Sequence, residues 1–265
     1  MKIHFYKYQA TGNDFILIDN RNEKIKLTID QIKQVCDRRF GIGADGIILI
    51  EKDPDAMFNL VYYNSDGSQS LCGNGSRAAI LFAAHLGMLN SKASFNAYDG
   101  IHNAELLPSG VIRLSMNPVN GITKVEDDLF LNTGSPHYIR FVKNIHDYPV
   151  LEEGEKIRYS EKFASQNGTN VNFVELLPDN TIYVRTYERG VENETLSCGT
   201  GVTAAALAAS THGYRSPVSV KTNGGELSVE FKSGHTGLPA GQADAFTDIY
   251  LIGPAKMVFE GDLEL

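Results

Sequence analysis

Hydrophobic and polar residues follow two patterns along the chain. Short runs of aromatic and β-branched residues, bounded by Gly, Pro or Asp, predict strands, and they lie at residues 15–18, 47–50, 58–63, 138–142 and 181–187. Residues 31–40 form a polar, helix-like stretch. Two Ala-rich stretches begin at Gly73 and Gly199 and carry few large or charged side chains. Such composition favours helix and indicates a helix that is covered nearly all round.

The two Ala-rich stretches belong to a long-period repeat. Residues 71–83 read LCGNGSRAAILFA, and residues 197–209 read SCGTGVTAAALAA. Both contain Cys-Gly-x-Gly-x-x-Ala-Ala, and both reach another glycine at the same spacing, Gly87 or Gly213. The strand-like segments before each motif also correspond in order. The repeat predicts two homologous halves, each with several strands and one principal helix, divided at the turn signal of residues 117–121.

Each motif places a thiol at the start of a predicted helix. The glycines after Cys72 and Cys198 keep side chains away from the helix N-terminus, where N–H groups lack acceptors within the helix. Such a terminus binds anions, and it lowers the pKa of a thiol. A thiolate on one face of an α-carbon and a thiol on the other are suited to invert that carbon. The two cysteines are therefore candidates for an acid/base pair.

Composition narrows the possible partners. The chain has 265 residues, 42% of them hydrophobic, and a formal net charge of −8 without a basic block. This balance argues against nucleic acid or an anionic membrane as the main partner. The first residues lack the pattern of a signal peptide, and no apolar run is long enough to cross a bilayer. We therefore expect a cytoplasmic protein with reduced thiols, in which Cys36 is a buried bystander.

Two other types of site are disfavoured. Residues 41–46 match G-x-G-x-x-G, but they follow a helix-like stretch and precede a strand, which reverses the context of a dinucleotide-binding turn. The cysteines are far apart in the sequence and no His lies at ligand spacing, so no metal is expected.

Six segments together resemble the diaminopimelate epimerase family over essentially the whole chain. They are residues 12–15 (GNDF), 64–68 (NSDGS), 72–77 (CGNGSR), 136–137 (PH), 188–190 (ERG) and 198–201 (CGTG). The resemblance implies an α/β fold of two pseudo-symmetric domains, each a sheet wrapped around a central helix, with the active site in the cleft between them. With the boundary at the turn signal of residues 117–121, we expect the first domain at residues 1–118, completed by residues 256–265, and the second at residues 119–255.

The same resemblance implies a function. It indicates interconversion of LL- and meso-diaminopimelate in lysine and peptidoglycan-precursor biosynthesis, by a homodimer that needs no cofactor. Cys72 and Cys198 would be the acid/base pair, with His137 as the partner of Cys72 and Glu188 as the partner of Cys198. The residues expected to bind substrate are Asn13, Asn64, Gly73, Asn74, Asn170, Glu188, Arg189, Gly199 and Thr200.

Two positions depart from the family pattern, and two alternatives stay open. Ser135 stands where the family often has Asn, and Gly46 stands where it often has Gln, which puts recognition of the distal end of the substrate in doubt.

One alternative function is that of a related racemase of another amino acid that works without pyridoxal phosphate. The other is a redox-sensing thiol protein, which would not exchange the α-hydrogen of a substrate with solvent deuterium. Phenazine-biosynthesis isomerases lack the cysteines and are excluded.

Overall fold

The computed structural model describes residues 2–234 and 245–265. They form two compact units: a first unit that runs to Leu114 and also includes Gly253–Leu265, and a second unit, Ser115–Ile252. None of the described helices is both long and apolar enough to span a membrane.

The first part of the chain carries the following elements: β1 (Lys2–Ala10), β2 (Asn13–Asp19), α1 (Ile29–Cys36), β3 (Gly46–Glu51), β4 (Phe58–Asn64), α2 (Gly73–His85), β5 (Lys92–Ala97), β6 (Gly100–Leu106) and β7 (Ile112–Met116). The remainder carries β8 (Thr123–Val125), β9 (Asp128–Asn132), β10 (Pro136–Phe141), α3 (Val150–Arg158), β11 (Asn170–Leu177), β12 (Thr181–Glu188), β13 (Asn193–Thr195), α4 (Gly199–Ala209), β14 (Val218–Thr222), β15 (Gly225–Gly234), β16 (Ala245–Gly253) and β17 (Lys256–Glu264).

In the first unit the strands pair in sequence order from β1 to β7. The β2–β3 and β4–β5 pairs are parallel, whereas β1–β2, β3–β4, β5–β6 and β6–β7 are antiparallel. Parallel neighbours need a crossover connection, and here α1 and α2 lie within the two crossovers. The last strand of the chain, β17, returns to pair antiparallel with β1.

The second unit repeats this order. The β10–β11 and β12–β14 pairs are parallel, and β9–β10, β11–β12, β14–β15 and β15–β16 are antiparallel. Helices α3 and α4 occupy the same two crossovers as α1 and α2. In both units, parallel strand pairs connected through a helix thus alternate with antiparallel strand pairs, and they do so in the same order along the chain. The predicted pseudo-symmetric α/β fold is confirmed.

Helices α2 and α4 lie against the sheets of their own units. The residues from Ala204 to Ala209 are fully buried, and in α2 the exceptions to burial are confined to Leu81, Ala84 and His85. Small side chains let strands approach a helix from several sides at once. For that reason both segments are rich in Gly and Ala.

Helix α1 is shorter than the predicted segment of residues 31–40. It begins after Thr28, whose side chain accepts a hydrogen bond from the N–H of Gln31, and Gln31 closes a capping box. It ends at Cys36, because Asp37 is extended and accepts hydrogen bonds from the N–H groups of Arg39 and Phe40. The remaining residues of the segment form a turn.

Candidate active site

Cys72 caps the N-terminus of α2. Its backbone is extended, and its Sγ accepts a hydrogen bond from the N–H of Gly75 at 3.4 Å. The partial positive charge of the helix terminus favours a thiolate at this position. A side chain at Gly75 would meet the Cβ of Cys72 at 3.4 Å and Cδ1 of Ile48 at 3.2 Å, so the glycine allows the thiol to lie close to the helix end. Cys72 is partly exposed, and its thiol is therefore available to a small molecule.

Asn13, the first residue of β2, connects the thiol to a carboxylate. Its Oδ1 lies 3.5 Å from Sγ of Cys72 and 3.3 Å from Nδ2 of Asn74. Its Nδ2 donates to Oδ2 of Asp45 at 2.5 Å. Because the ionised Asp45 carboxylate only accepts, the Asn13 amide is oriented with its oxygen toward the thiol. Three residues predicted for the site, Asn13, Cys72 and Asn74, therefore lie together.

Asp45 belongs to a charged group that we call the Arg38 cluster, which consists of Lys7, Asp14, Arg38 and Asp45. Arg38 lies 2.7 Å from a carboxylate oxygen of Asp14 and 2.7 Å from one of Asp45, and Lys7 lies 2.6 Å from Asp14. Burial raises the pKa of Asp14, but its hydrogen bonds to Arg38 and Lys7 outweigh burial and lower the pKa to about 2. The two negative charges of the cluster are thus compensated by two positive ones.

Arg77, in the second turn of α2, is a buried cation whose role the sequence does not predict. It is fully buried, its Nη2 donates to the hydroxyl of Thr11 at 3.1 Å, and its Nη1 lies 3.5 Å from the carbonyl oxygen of Gly73. Its Nε has no hydrogen-bond partner among the described residues. Both of its partners are neutral, and none of the ion pairs of the described residues involves Arg77.

Asn64, the last residue of β4, orders the loop that leads to Cys72. Its Nδ2 lies 3.1 Å from the hydroxyl of Ser68 and 3.2 Å from that of Ser70. It pairs with Gly46 across the β3–β4 ladder. A Cβ at position 46 would overlap the ring of Tyr62 and the carbonyl oxygen of Tyr63. The backbone around Gly46 therefore has no room for the Gln that the family often carries there.

Cys198 occupies the N-cap position of α4 as Cys72 does in α2, but its side chain makes no capping hydrogen bond to the helix. Its backbone is extended in the same way, and the residue is buried. Its Sγ lies 3.5 Å from the hydroxyl oxygen of Thr200, which in turn lies 2.9 Å from Nε2 of His137. The carbonyl of Thr200 accepts a hydrogen bond from the hydroxyl of Thr133 at 2.9 Å, which fixes the first turn of α4.

His137 is held in one neutral tautomer. Nδ2 of Asn172 donates to the carbonyl of Tyr138 at 3.1 Å, and the same nitrogen lies 3.1 Å from Nδ1 of His137. Nδ1 therefore accepts, and the ring proton is on Nε2, facing Thr200. Burial lowers the pKa of His137 to about 3, with a further contribution from the charge of Arg189. At neutral pH the imidazole donates to Thr200, whose hydroxyl can donate to Cys198. The pairing of His137 with Cys72 stays a prediction.

Asn170 joins the start of β10 to the end of β12. Its Nδ2 donates to the hydroxyl of Ser135 at 2.9 Å and to the carbonyl of Pro136 at 3.0 Å. Its Oδ1 accepts from the backbone N–H of Arg189 at 2.9 Å. Ser135 is thus able to accept a hydrogen bond at the position where the family often has Asn.

Glu188 and Arg189 lie at the end of β12. Oε2 of Glu188 accepts from the hydroxyl of Thr195 at 2.8 Å, and Nη1 of Arg189 donates to the carbonyl of Gln166 at 3.2 Å. Both side chains are partly exposed. Asn170 thus lies next to Arg189 and Glu188 at the end of β12. The role of these three residues in binding substrate stays a prediction.

The described residues contain no group of three or more His, Cys, Asp or Glu side chains that could hold a metal ion. Each unit instead presents a thiol at a helix start, next to the first N–H groups of that helix, from Gly73 and Asn74 in one case and from Gly199 and Thr200 in the other. A thiol can exchange a proton, and N–H groups at a helix start can bind a carboxylate.

Comparisons with known proteins agree with this arrangement. The sequence profile of the family described as diaminopimelate epimerase matches residues 5–120 and 129–246. The chain is 46% identical to a diaminopimelate epimerase of Flavobacterium psychrophilum, and the alignment covers 96% of this chain and 98% of the relative.

Two solved structures share the fold at low sequence identity. A phenazine biosynthesis protein of the PhzF family from Bacillus anthracis superposes with a TM-score of 0.72 at 15% identity, over 100% of both chains. A hydroxyproline epimerase from Agrobacterium vitis superposes with a TM-score of 0.71 at 14% identity, over 100% of this chain and 93% of the other. At such low identity the likeness concerns the fold alone.

Three residues that contribute to the site were not predicted from the sequence. In each case a feature of the sequence could have identified the residue. Arg77 is a charged residue in a segment whose other residues predict a completely buried helix. Asn172 lies two positions after Asn170 on a strand, so both side chains are on the same face of the sheet. Asp45 is an acidic residue within residues 41–46, directly before strand β3.

Proposed function

Because the chain belongs to the diaminopimelate epimerase family, we propose that it interconverts LL- and meso-diaminopimelate with Cys72 and Cys198 as the two acid/base groups. The observation that carries the proposal is the position of these cysteines. Each is the N-cap of the buried central helix of its unit, in two units that have the same strand order.

The reaction needs a base on one face of the α-carbon and an acid on the other. A thiolate takes the α-proton and becomes a thiol, and the electron pair left on carbon is delocalised into the adjacent carboxylate. The second thiol then donates its proton to the opposite face and becomes the thiolate. The α-carbon is inverted, and the negative charge has moved from one sulfur to the other. An ordinary thiol has a pKa of about 8.5, so the helix termini help by favouring the thiolate.

The backbone N–H groups of Gly73, Asn74, Gly199 and Thr200 are suited to bind the α-carboxylate. Negative charge grows on that carboxylate as the α-proton leaves, and N–H groups fixed before the reaction stabilise such charge most effectively. Both helices begin with glycine at the first and third positions, so side chains do not block access to these groups.

We assign the remaining residues to orientation and recognition. Asn13 faces the Cys72 thiol, and His137 reaches Cys198 through Thr200. We assign Glu188 to Cys198 as its partner. We assign Asn64, Asn170 and Arg189 to the distal amino-acid group of the substrate, where Arg189 is suited to pair with a carboxylate through two parallel hydrogen bonds.

The test is α-hydrogen exchange without added cofactor. Reduced protein in deuterium oxide is incubated separately with LL-diaminopimelate, proline and histidine, and α-deuteration is followed by NMR. We expect exchange and epimerisation of diaminopimelate alone. Cys72→Ser and Cys198→Ser should each lose about two to four orders of magnitude in rate, whereas Cys36→Ala is the matched control.

Other outcomes would assign another function. A faster reaction with proline or histidine would identify a racemase of another amino acid. No exchange with any amino acid by the reduced protein, together with reversible oxidation of Cys72 and Cys198, would favour the redox-sensing alternative. Near-normal epimerisation by a folded serine variant of either cysteine would refute the two-thiol mechanism.

We also propose that the protein is a cytoplasmic homodimer. A compartment that keeps thiols reduced suits a mechanism that depends on two free cysteines. Strand β17 pairs with β1, and Val258 and Phe259 on this strand are exposed. Exposed apolar residues on such a strand are typical of an association surface. Light scattering after size exclusion would test this state, with Phe259→Lys as the disrupting variant.

A further inference from the structure

The two cysteine helices differ in one buried charge. Arg77 in α2 and Thr203 in α4 occupy the same position of the repeated motif, and both are fully buried. Each contacts the carbonyl oxygen of the residue after its cysteine: Nη1 of Arg77 lies 3.5 Å from Gly73, and the hydroxyl of Thr203 lies 2.9 Å from Gly199. The otherwise similar helix starts therefore have a guanidinium behind Cys72 and a neutral hydroxyl behind Cys198.

The guanidinium of Arg77 points back toward the thiol. Side chains on an α-helix tilt toward its N-terminus, and the contact with Gly73 brings the charged group beside the residue that follows Cys72. Burial lowers the pKa of Arg77 to about 10, and the charge of the Cys72 thiolate opposes this effect. At neutral pH the guanidinium is still protonated.

Among the residues that the structure describes, no acidic side chain pairs with Arg77. The carboxylates of the neighbouring Arg38 cluster, Asp14 and Asp45, are already paired with Lys7 and Arg38. Of the titratable residues on the strands packed against α2, Tyr6 and Tyr8 contact His85 at the far end of the helix, and Tyr62 packs on Phe15. Within the described part of the chain, the Arg77 guanidinium donates hydrogen bonds to the hydroxyl of Thr11 and the carbonyl of Gly73. A buried cation without an anionic partner is costly, and a thiolate at Cys72 would supply that partner.

We propose that Arg77 is a positioning residue that holds Cys72 as the thiolate in the resting enzyme, while Cys198 rests as the thiol. This inference rests on the proposed two-thiol function, and it adds which of the two cysteines is the base in the resting enzyme. The free enzyme would bind first the epimer whose α-proton faces Cys72. After one turnover the negative charge is on Cys198. The field of Arg77 then favours release of the Cys72 proton to solvent while the Cys198 thiolate takes up a proton from solvent, which restores the resting state before the next cycle.

A purely structural role for Arg77 makes a different prediction. Arg77 also tethers Thr11, whose backbone has a positive φ of 49° in the turn between β1 and β2. If that tether were its only purpose, removing it would change stability without changing the ionisation of Cys72 relative to the other thiols. The two roles are therefore separable by a measurement that reads each thiol individually.

The experiment measures the rate of alkylation by iodoacetamide as a function of pH, without substrate, and peptide mass spectrometry resolves the three cysteines. Arg77→Met removes the charge and keeps much of the volume, and Arg77→Lys keeps the charge. Thr11→Ala removes the hydrogen bond but leaves the guanidinium in place. We expect Arg77→Met to raise the alkylation midpoint of Cys72 by about one pH unit or more, with Cys198 unchanged. Arg77→Lys and Thr11→Ala should leave the Cys72 midpoint close to that of wild type.

Each result decides the proposal. A folded Arg77→Met protein with an unchanged Cys72 midpoint would overturn it, as would equal shifts at Cys72 and Cys198. If Arg77→Met does not fold, the wild-type protein decides. A Cys72 alkylation midpoint at or above the ordinary thiol value of about 8.5 refutes the proposal. A lower Cys72 midpoint that the Arg77→Lys variant retains supports it. Because no substrate is present, a failure here is distinct from a failure of the epimerase assignment, which the deuterium experiment tests.

Discussion

Nε2 of His137 lies 2.9 Å from the hydroxyl oxygen of Thr200. The ring nitrogen is the donor, because the other nitrogen, Nδ1, accepts from Asn172. The hydroxyl proton of Thr200 is then directed toward Sγ of Cys198, at 3.5 Å. A neutral, fully buried histidine thus acts on the thiol through one intervening hydroxyl, which can stabilise a thiolate without taking up its proton.

Removing that hydroxyl should slow epimerisation. We expect Thr200→Val, which keeps the shape of the side chain, to lower kcat/KM by about tenfold to a hundredfold, the kinetic equivalent of one hydrogen bond to a charged group. Thr200→Ser keeps the hydroxyl and is the control that should stay near wild type. Steady-state kinetics with diaminopimelate measures both. A Val variant as active as wild type would show that the hydroxyl does not act on Cys198.

Asn172 should determine which nitrogen of His137 carries the proton. Its amide oxygen accepts from the hydroxyl of Thr186 at 2.9 Å, so its nitrogen is the atom that faces the histidine ring. Asn172→Asp replaces this donor by an acceptor with little change in shape. We expect the ring proton to move to Nδ1 and the free energy of unfolding to fall by about 1–3 kcal/mol, because the carbonyl of Tyr138 loses its donor.

Nitrogen NMR of the imidazole distinguishes the two tautomers directly, and urea unfolding measures the stability change. Thr186→Ser, which preserves the hydrogen bond to Asn172, should leave the tautomer as it is in wild type. An Asp variant with the proton still on Nε2 would contradict the orientation assigned to the Asn172 amide.

The sequence predicted the parts of this site that depend on local pattern. The repeated Cys-Gly motif predicted where α2 and α4 begin, because glycine and alanine composition determines both the helix start and its burial. Contacts made at long sequence separation were not predictable in the same way. Asn13 meets Asp45 only because β2 and β3 are parallel neighbours, and Arg77 reaches Thr11 only because β1 and β2 turn over the start of α2.

Gly46 illustrates a departure from the family pattern that only packing explains. A Cβ at this position would overlap the ring of Tyr62 and the carbonyl oxygen of Tyr63, and the second of these is backbone that cannot move aside. We expect Gly46→Ala to lower the free energy of unfolding by about 1–3 kcal/mol, as measured by urea unfolding. Gly110→Ala, at a position with open space around the Cβ but a positive φ, serves as a comparison for backbone strain alone. A Gly46→Ala protein as stable as wild type would mean that the β3–β4 ladder adjusts to a side chain there.

Asp14 should make stability depend on pH in the acid range. Its folded-state pKa of about 2 lies below the ordinary value of 3.8, since Arg38 and Lys7 outweigh the effect of burial. A group whose pKa is lowered on folding stabilises the protein above its unfolded-state pKa, and that contribution is lost as the pH falls through the folded-state value. Asp14→Asn should therefore be less stable than wild type by about 1–2 kcal/mol at neutral pH, and the difference should shrink between pH 3.8 and about 2. Urea unfolding at a series of pH values measures this difference in stability.

Asp55→Asn, at an exposed carboxylate outside the ion pairs of the described residues, should show a small difference that does not change in this way. A difference between Asp14→Asn and wild type that stays constant down to pH 2 would show that the Arg38 cluster does not hold Asp14 ionised.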